Sequence, residues 1–277
     1  MIYKYLILGP GGIKGYMHLG ALFYLHEKGL LKNIETYIGV SIGSIISLLL
    51  NCGYTPSQII IKTIIINIFN SCTIKDIWNN LKGGSVLSVE PIRIVLNHLM
   101  KLKFDKVLTL KELYEKTKKE LYVVANNISK NEGLTYISYK SHPDLSATEA
   151  VLMSSSIPFI FPAYEYKDSL FVDGATVNPY PIDIVPLKEE EKVIGFYIDN
   201  KDDIKGKISF FNRIIDSPLR EIMRRGKETY KKSTHVILET KVYDSIGLSL
   251  SLEDKIKMIS DGYETIKFFF SFKELKE

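Results

Sequence analysis

Two glycines bracket Ser41 in Gly39-Val40-Ser41-Ile42-Gly43, after the β-branched run Thr36 to Val40 and ahead of the apolar run Ile42 to Asn51. A serine with glycine at −2 and +2 between a strand and a helix fits a turn so tight that flanking side chains would strike the neighbouring elements. Such a turn presents a hydroxyl at the end of a sheet and at the start of a helix, where the dipole and free N–H groups favour negative charge. The same five residues also suit an ordinary small-residue turn, so the pattern needs partners before it means catalysis.

Its surroundings have a definite order. Tyr3 to Leu8 is β-rich, Gly9-Pro10-Gly11-Gly12-Ile13-Lys14-Gly15 follows, and Gly15 to Lys28 has helical periodicity closed by Gly29. Strand, glycine loop, helix, strand, tight turn, helix is the opening of a doubly wound parallel sheet. Beyond it, Pro56 at a helix N1 position starts a helix over 57–69, Gly83-Gly84 breaks the chain, and Pro91 opens a helix over 91–103. Another helix covers 110–119, and strands over 121–129 and 135–140 flank Asn131-Glu132-Gly133. Ser146-Ala-Thr-Glu149 reads as a capping box for a helix over 147–155 that stops before Pro158. A small hairpin (163–166 and 169–172), a strand (193–199), a helical stretch over 208–232 broken near Pro218, a strand (235–238) and a closing helix (252–272) complete the chain. With no internal repeat and no Pro/Ser-rich linker, the expectation is one domain over 1–277. Its motif-bearing core spans about 5–184, and 185–277 continues it.

Composition removes several classes. The 277 residues are 45% hydrophobic and 25% charged, with a formal net charge of +4. Those fractions fit a globular chain, and the charge is too small to make nucleic acid the expected partner. Two cysteines, Cys52 and Cys72, cannot supply a disulfide framework or a four-cysteine zinc site. The longest apolar runs, Ile38 to Leu50 and Ile59 to Phe69, fall short of the ~20 residues of a spanning helix. Met1 to Leu8 runs straight into the glycine loop, as a buried strand does and a signal peptide does not. An intracellular, cytoplasmic protein without a signal peptide or transmembrane segment is expected.

The glycine loop points successive backbone N–H groups toward one point, an anion-binding concavity. Dinucleotide binding wants G-x-G-x-x-G, and counted from Gly9 the third glycine falls on Lys14. A phosphate loop of the Gly-Lys-Ser/Thr type is absent too. What remains is an oxyanion hole from the Gly11, Gly12 and Ile13 amides, aimed near Ser41. For a base, the histidines are His18, His26, His98, His142 and His235. Only His235 comes late enough for the Ser, Asp/Glu, His order, and it sits inside a strand-like run as a structural histidine would. Asp173, in Phe171-Val172-Asp173-Gly174-Ala175, ends an apolar strand at a tight turn. Desolvation there raises a carboxyl pKa and makes a better base, although Asp-Gly also occurs in plain turns.

Together these pieces resemble the patatin-like phospholipase family. Four ordered blocks carry the resemblance over about Tyr5 to Ile184: Gly11-Gly12-Ile13-Lys14-Gly15; Gly39-Val-Ser41-Ile-Gly43; Ser154-Ser155-Ser156-Ile157-Pro158 with Phe161-Pro162; and Asp173-Gly174-Ala175 with Asn178-Pro179. The resemblance implies a three-layer α/β/α fold with a mainly parallel sheet. It also implies a Ser–Asp dyad without histidine: Ser41 as nucleophile, Asp173 as general base, Gly11, Gly12 and Ile13 as oxyanion donors. Lys14, Gly15, Gly39, Gly43, Gly174 and Ala175 would support them. Pro10 stands where the family usually has glycine, and Lys14 where it commonly has arginine, without a five-donor fork. The Ser154 to Pro162 block is expected to pack a helix close to the sheet.

The implied activity is acyl-ester hydrolysis on lipids, of phospholipase A or lysophospholipase type, with no metal or organic cofactor. Two other readings stay open: a His-dependent α/β-hydrolase esterase or thioesterase, and a silent lipid-binding scaffold. The expected partner is a phospholipid or other acyl lipid at a membrane surface, with no nucleic acid. Candidate contacts with that surface are Phe268, Phe269, Phe270 and Phe272 beside Lys267, Lys273 and Lys276, the basic stretch from Arg220 to Lys232, or an isoleucine-rich cap over 57–78. Consecutive phenylalanines also commonly face a core, and basic runs commonly form solvated faces.

Overall fold

A computed structural model of the chain describes residues 2–64, 87–129, 132–158, 160–200, 217, 220–240 and 250–274. Cys72, Gly83-Gly84, the part of the isoleucine-rich cap from residue 65 on, residues 208–216 and Pro218 of the expected helical stretch, and Lys276 lie outside the described residues.

Among the described residues eight strands form one sheet: β1 (Tyr5–Leu8), β2 (Thr36–Val40), β3 (Glu120–Asn127), β4 (Gly133–Ile137), β5 (Tyr164–Tyr166), β6 (Ser169–Asp173), β7 (Val193–Asn200) and β8 (Thr234–Thr240). The order is β5-β6-β3-β2-β1-β7-β8, with β4 also paired to β3. β3, β2, β1, β7 and β8 run parallel; β4, β5 and β6 are antiparallel additions at the β3 end. The parallel majority matches the sequence reading, and the sheet as a whole is mixed.

Alternation along the strands buries both faces, as a pleated backbone requires. Leu6 and Leu8 join one core with Tyr37, Val123 and Phe196. Ile7 and Ile38 point into the other, with Tyr180, Met223 and Tyr230. The first face is covered by helices α1 (Gly15–Glu27), α2 (Ile42–Asn51), α3 (Pro56–Thr63), α4 (Glu90–Phe104), α5 (Leu110–Thr117), α6 (Ala147–Ser154) and α7 (Leu252–Glu274). The second is covered by the helical segment 220–229 and short 3-10 turns around Ile182. The result is a three-layer α/β/α arrangement. β7, β8 and α7, all beyond residue 184, are integral to it: α7 lies so close on α1 that a Cβ on Gly20 would meet the Ile259 carbonyl oxygen at 1.9 Å.

Helix starts follow local chemistry. Thr55 accepts a bond from the Gln58 amide while the Gln58 side chain accepts from the Thr55 amide, with Pro56 at N1. Thr109 and Glu112 form the same reciprocal box. The box expected at Ser146 and Glu149 does not form. Ser146 makes no cap bond, and Glu149 instead pairs with Arg93 of α4. A cation brought in from another helix outcompetes the local amide.

One pairing positions the site. Val123 and Val124 of β3 face β2 on one edge and β4 on the other, whereas Ala125 to Asn127 face β4 and β6. β6 therefore takes up the edge of β3 that β2 vacates. It runs antiparallel, so its last residue, Asp173, opposes Ala125, next to Val124, which opposes Val40. The two strand ends meet head to head.

Candidate active site

Ser41 follows β2 directly and caps α2 with φ 55° and ψ −127°, a conformation that side chains rarely adopt. The bracketing glycines make that turn possible. A Cβ on Gly43 would lie 2.1 Å from the Leu8 carbonyl oxygen, and one on Gly39 would lie 2.4 Å from Ser44 Cα. The Ser44 hydroxyl donates to the Ser41 carbonyl at 2.6 Å, closing the turn. The elbow read from sequence is thus formed, and Ser41 is buried at its tip.

Asp173 is buried at the end of β6. Its Oδ1 accepts the Ala175 amide at 2.8 Å, and its own amide donates to the Ser156 carbonyl at 2.9 Å. Gly174 lets the following turn press against β3, where a Cβ would meet the Val124 carbonyl oxygen at 2.1 Å. Burial pushes the Asp173 carboxyl up to about 7; hydrogen bonds from the Ser41 side chain and the Ala175 amide pull the other way without cancelling it. The carboxylate and the serine are partners, and desolvation raises the affinity of the former for a proton.

The glycine loop turns through Gly12 at φ 55° and forms a 3-10 turn over Gly12–Lys14. Amides opening such a turn have no acceptor within it, which leaves those of Gly12 and Ile13 available to an anion. Both residues border the same cavity as Ser41, while Gly11 does not. Gly15 brings the loop against the elbow: a Cβ there would meet the Ile42 side chain at 2.4 Å. Lys14 is buried. His18 holds the loop from below, its Nε2 donating to the Gly9 carbonyl at 3.0 Å, and burial lowers its pKa to about 4, so the ring is neutral.

The cavity measures about 140 Å³. Apart from the loop, Tyr16, Ser41, Thr63 and Ser155, its wall is hydrocarbon, drawn from α1 to α4 and from Ile157 and Phe161. Its shape and chemistry suit a slender apolar chain with a polar group at Ser41.

His235 is not part of this site. Its Nε2 donates to the Tyr230 carbonyl at 2.8 Å, which leaves Nδ1 to accept from the Tyr180 hydroxyl at 2.8 Å. β8 lies three strands from β2, roughly 14 Å at the usual strand spacing. Among the described residues no group of three His, Cys, Asp or Glu side chains could hold a metal ion.

The serines at the end of α6 do more than pack. Ser154 Oγ accepts the Ser41 amide at 2.9 Å, and the Ser156 carbonyl accepts the Asp173 amide. Small residues before Pro158 were the sequence signal; the long-range bonds were invisible in it. The candidate surface contacts divide. Phe268 and Phe272 of α7 are exposed (68% and 53%), Phe269 is half-buried and Phe270 is buried. Arg220 pairs with Asp199, Arg224 with Glu221 and Glu228, and Arg225 with Glu221, so the basic stretch is largely neutralised by its own neighbours. No helix of the described residues is long and apolar enough to cross a membrane.

A family model, Patatin-like phospholipase, matches residues 6–186. The chain is 36% identical over 185 residues to the Probable lipid hydrolase 463L of Invertebrate iridescent virus 6, a match that covers 66% of this chain and 63% of that one. Among solved structures it resembles VipD from Legionella pneumophila, with TM-score 0.63 at 17% identity, over 96% of this chain and 66% of VipD. It also resembles the type III effector ExoU of Pseudomonas aeruginosa, with TM-score 0.59 at 14% identity, over 99% of this chain and 54% of that one. The chain spans less than two thirds of each of these relatives. At such identities the two structures speak for the fold alone.

Proposed function

This chain belongs to the patatin-like phospholipase family, and on that footing we propose that it is a serine esterase hydrolysing the acyl esters of lipids, of phospholipase A or lysophospholipase type. The observation that carries the proposal is the meeting of β2 and β6 on one edge of β3. It sets a strained serine against a buried carboxylate beside an apolar cavity.

In the proposed reaction Asp173 takes the proton of the Ser41 hydroxyl as Oγ bonds to the ester carbonyl carbon. The carbonyl oxygen, now an anion, is received by the Gly11, Gly12 and Ile13 amides, of which Gly12 and Ile13 border the cavity. Protonated Asp173 then gives its proton to the departing alkoxide, leaving Ser41 acylated and the lysolipid or alcohol free. Water enters, loses its proton to Asp173 and attacks the acyl carbon. The C–Oγ bond breaks, the proton returns to Ser41, and the fatty acid leaves. No metal or cofactor takes part. The His-dependent alternative is disfavoured because both nitrogens of His235 are engaged away from Ser41.

We further propose that 1–277 acts as one domain, since β7 and β8 extend the same sheet as β1. Its contact with a lipid surface is assigned to the exposed rings of α7. The direct test is a defined panel of diacyl and monoacyl phospholipids and triacylglycerol, with fatty acid release read by mass. Wild type should release acid with EDTA present, and Ser41→Ala should not. Turnover that survives in clean, folded Ser41→Ala protein would refute the nucleophile assignment.

A further inference from the structure

The residues that end α6 touch both members of the proposed dyad through the backbone, not through the reacting groups. Ser154, fully buried, accepts the amide of Ser41 on its hydroxyl at 2.9 Å across 113 residues of sequence. Two residues on, the Ser156 carbonyl accepts the amide of Asp173 at 2.9 Å. In between, Ser155 and Ser156 turn their hydroxyls back onto the Val151 and Leu152 carbonyls at 2.8 and 2.9 Å, which stiffens the end of the helix. Ser156 is also fully buried, so this segment has no solvent in which to relax.

The Ser41 amide needs such a partner. The β2 ladder ends at Val40, one residue before Ser41, and in a buried turn an orphaned amide is costly. Any acceptor would satisfy it. Here the acceptor belongs to the segment that also holds the amide of Asp173. We propose that Ser154 is a positioning residue: with Ser156 it forms a strut that fixes the separation of Ser41 from Asp173, so that the hydroxyl proton already points at the carboxylate before substrate arrives. This rests on the Ser–Asp reading of the site and adds a residue to it. The value of such a strut is large because proton transfer and attack both fail when reacting atoms drift by about 1 Å.

The experiment compares wild type, Ser154→Ala, Ser154→Cys and Ser47→Ala as full-length chains on one soluble acyl ester across pH 5 to 9. Cysteine fills the space of serine with a poor acceptor, which separates loss of the bond from loss of volume. Ser47 is a fully buried serine of α2 whose hydroxyl has no partner, and it controls for removing a buried hydroxyl. The expected result is a fall in kcat of roughly 10- to 100-fold in both Ser154 variants, with KM changed by less than about 3-fold. The acid limb should also move to higher pH, since the bond from Ser41 is one of the forces holding the Asp173 carboxyl down. Ser47→Ala should match wild type. Amide exchange at Ser41 should accelerate in the Ser154 variants, a readout independent of turnover.

Wild-type kcat in Ser154→Cys, or a fall in kcat with no movement of the acid limb and no faster exchange at Ser41, would overturn the proposal. Should Ser154→Ala not fold, Ser154→Cys decides alone; should neither fold, a purely structural role is indicated and the strut is refuted. Ser41→Ala run alongside distinguishes the two levels. Activity there removes the reading on which the strut rests, whereas inactivity there with unaffected Ser154 variants removes the strut only.

Discussion

In the proposed mechanism Asp173 is the residue at which activity and stability oppose each other. Its carboxyl titrates near 3.8 when unfolded and near 7 in the folded chain. Between those values the native state holds a proton the unfolded state has lost, so rising pH costs stability through that window and no further above it. Converted at 1.36 kcal/mol per unit, the ceiling is about 4 kcal/mol. Asp173→Asn keeps an oxygen for the Ala175 amide but cannot ionise. It should be inactive yet melt later than wild type at pH 8, with the gain shrinking toward pH 4; a gain independent of pH would show that ionisation is not its source. In wild type, kcat/KM should fall about tenfold per unit below pH 7, and this limb should persist in His235→Gln, whose ring is committed to Tyr180 and Tyr230. Ser41 stores strain of its own. Glycine tolerates φ 55° and alanine does not, so Ser41→Gly should exceed Ser41→Ala in stability by about 1 kcal/mol, measured by denaturant midpoint, with both inactive.

The elements around Ser41 are held at distances that admit no side chain. Gly43→Ala would place a methyl 2.1 Å from a backbone oxygen of β1, and neither β1 nor α2 has a flexible end to yield there. The expected cost is about 3 kcal/mol or more, read as a lower melting temperature and loss of turnover. Near-native stability in that variant would mean that α2 docks less tightly than described. Much at this scale was legible: β2, α2, the small hairpin over β5 and β6, and Asp173 at a strand end all stand where periodicity and glycines put them. Two things were not. The Ser146-Glu149 spacing has the form of a cap, but whether Glu149 turns to its own amide depends on Arg93, which sequence proximity does not bring near. Likewise Ser154 reads as a small packing residue, because its bond to Ser41 exists only once α6 lies beside α2.

At the scale of the whole chain, the parallel order was readable from the opening strand-loop-helix pattern, while the antiparallel end was not. Nothing local in Ser169 to Asp173 states which strand it will join. The outer surface is similarly divided. Phe268 and Phe272 stand exposed on α7 with ring centroids 5.5 Å apart, on a helix whose Phe270 is in the core. Replacing both with serine should lower binding to phosphatidylcholine/phosphatidylserine vesicles several-fold in cosedimentation, while hydrolysis of a soluble short-chain ester stays unchanged. Undiminished vesicle binding would rule out α7 as the proposed lipid contact.

The head-to-head meeting of β2 and β6 also sets when the site comes into being. The glycine loop and the elbow precede β6 in the chain, so they are synthesised before β6 exists. On the proposed dyad, until that short strand docks on β3 the serine has no base beside it. A nascent, trapped or truncated chain that has built only the early strands would then carry the serine turn without the second member of the proposed pair. Under the proposed mechanism completion of the fold is a safety catch, and recovery of activity during refolding should lag the recovery of helix signal by the time β6 takes to find its edge.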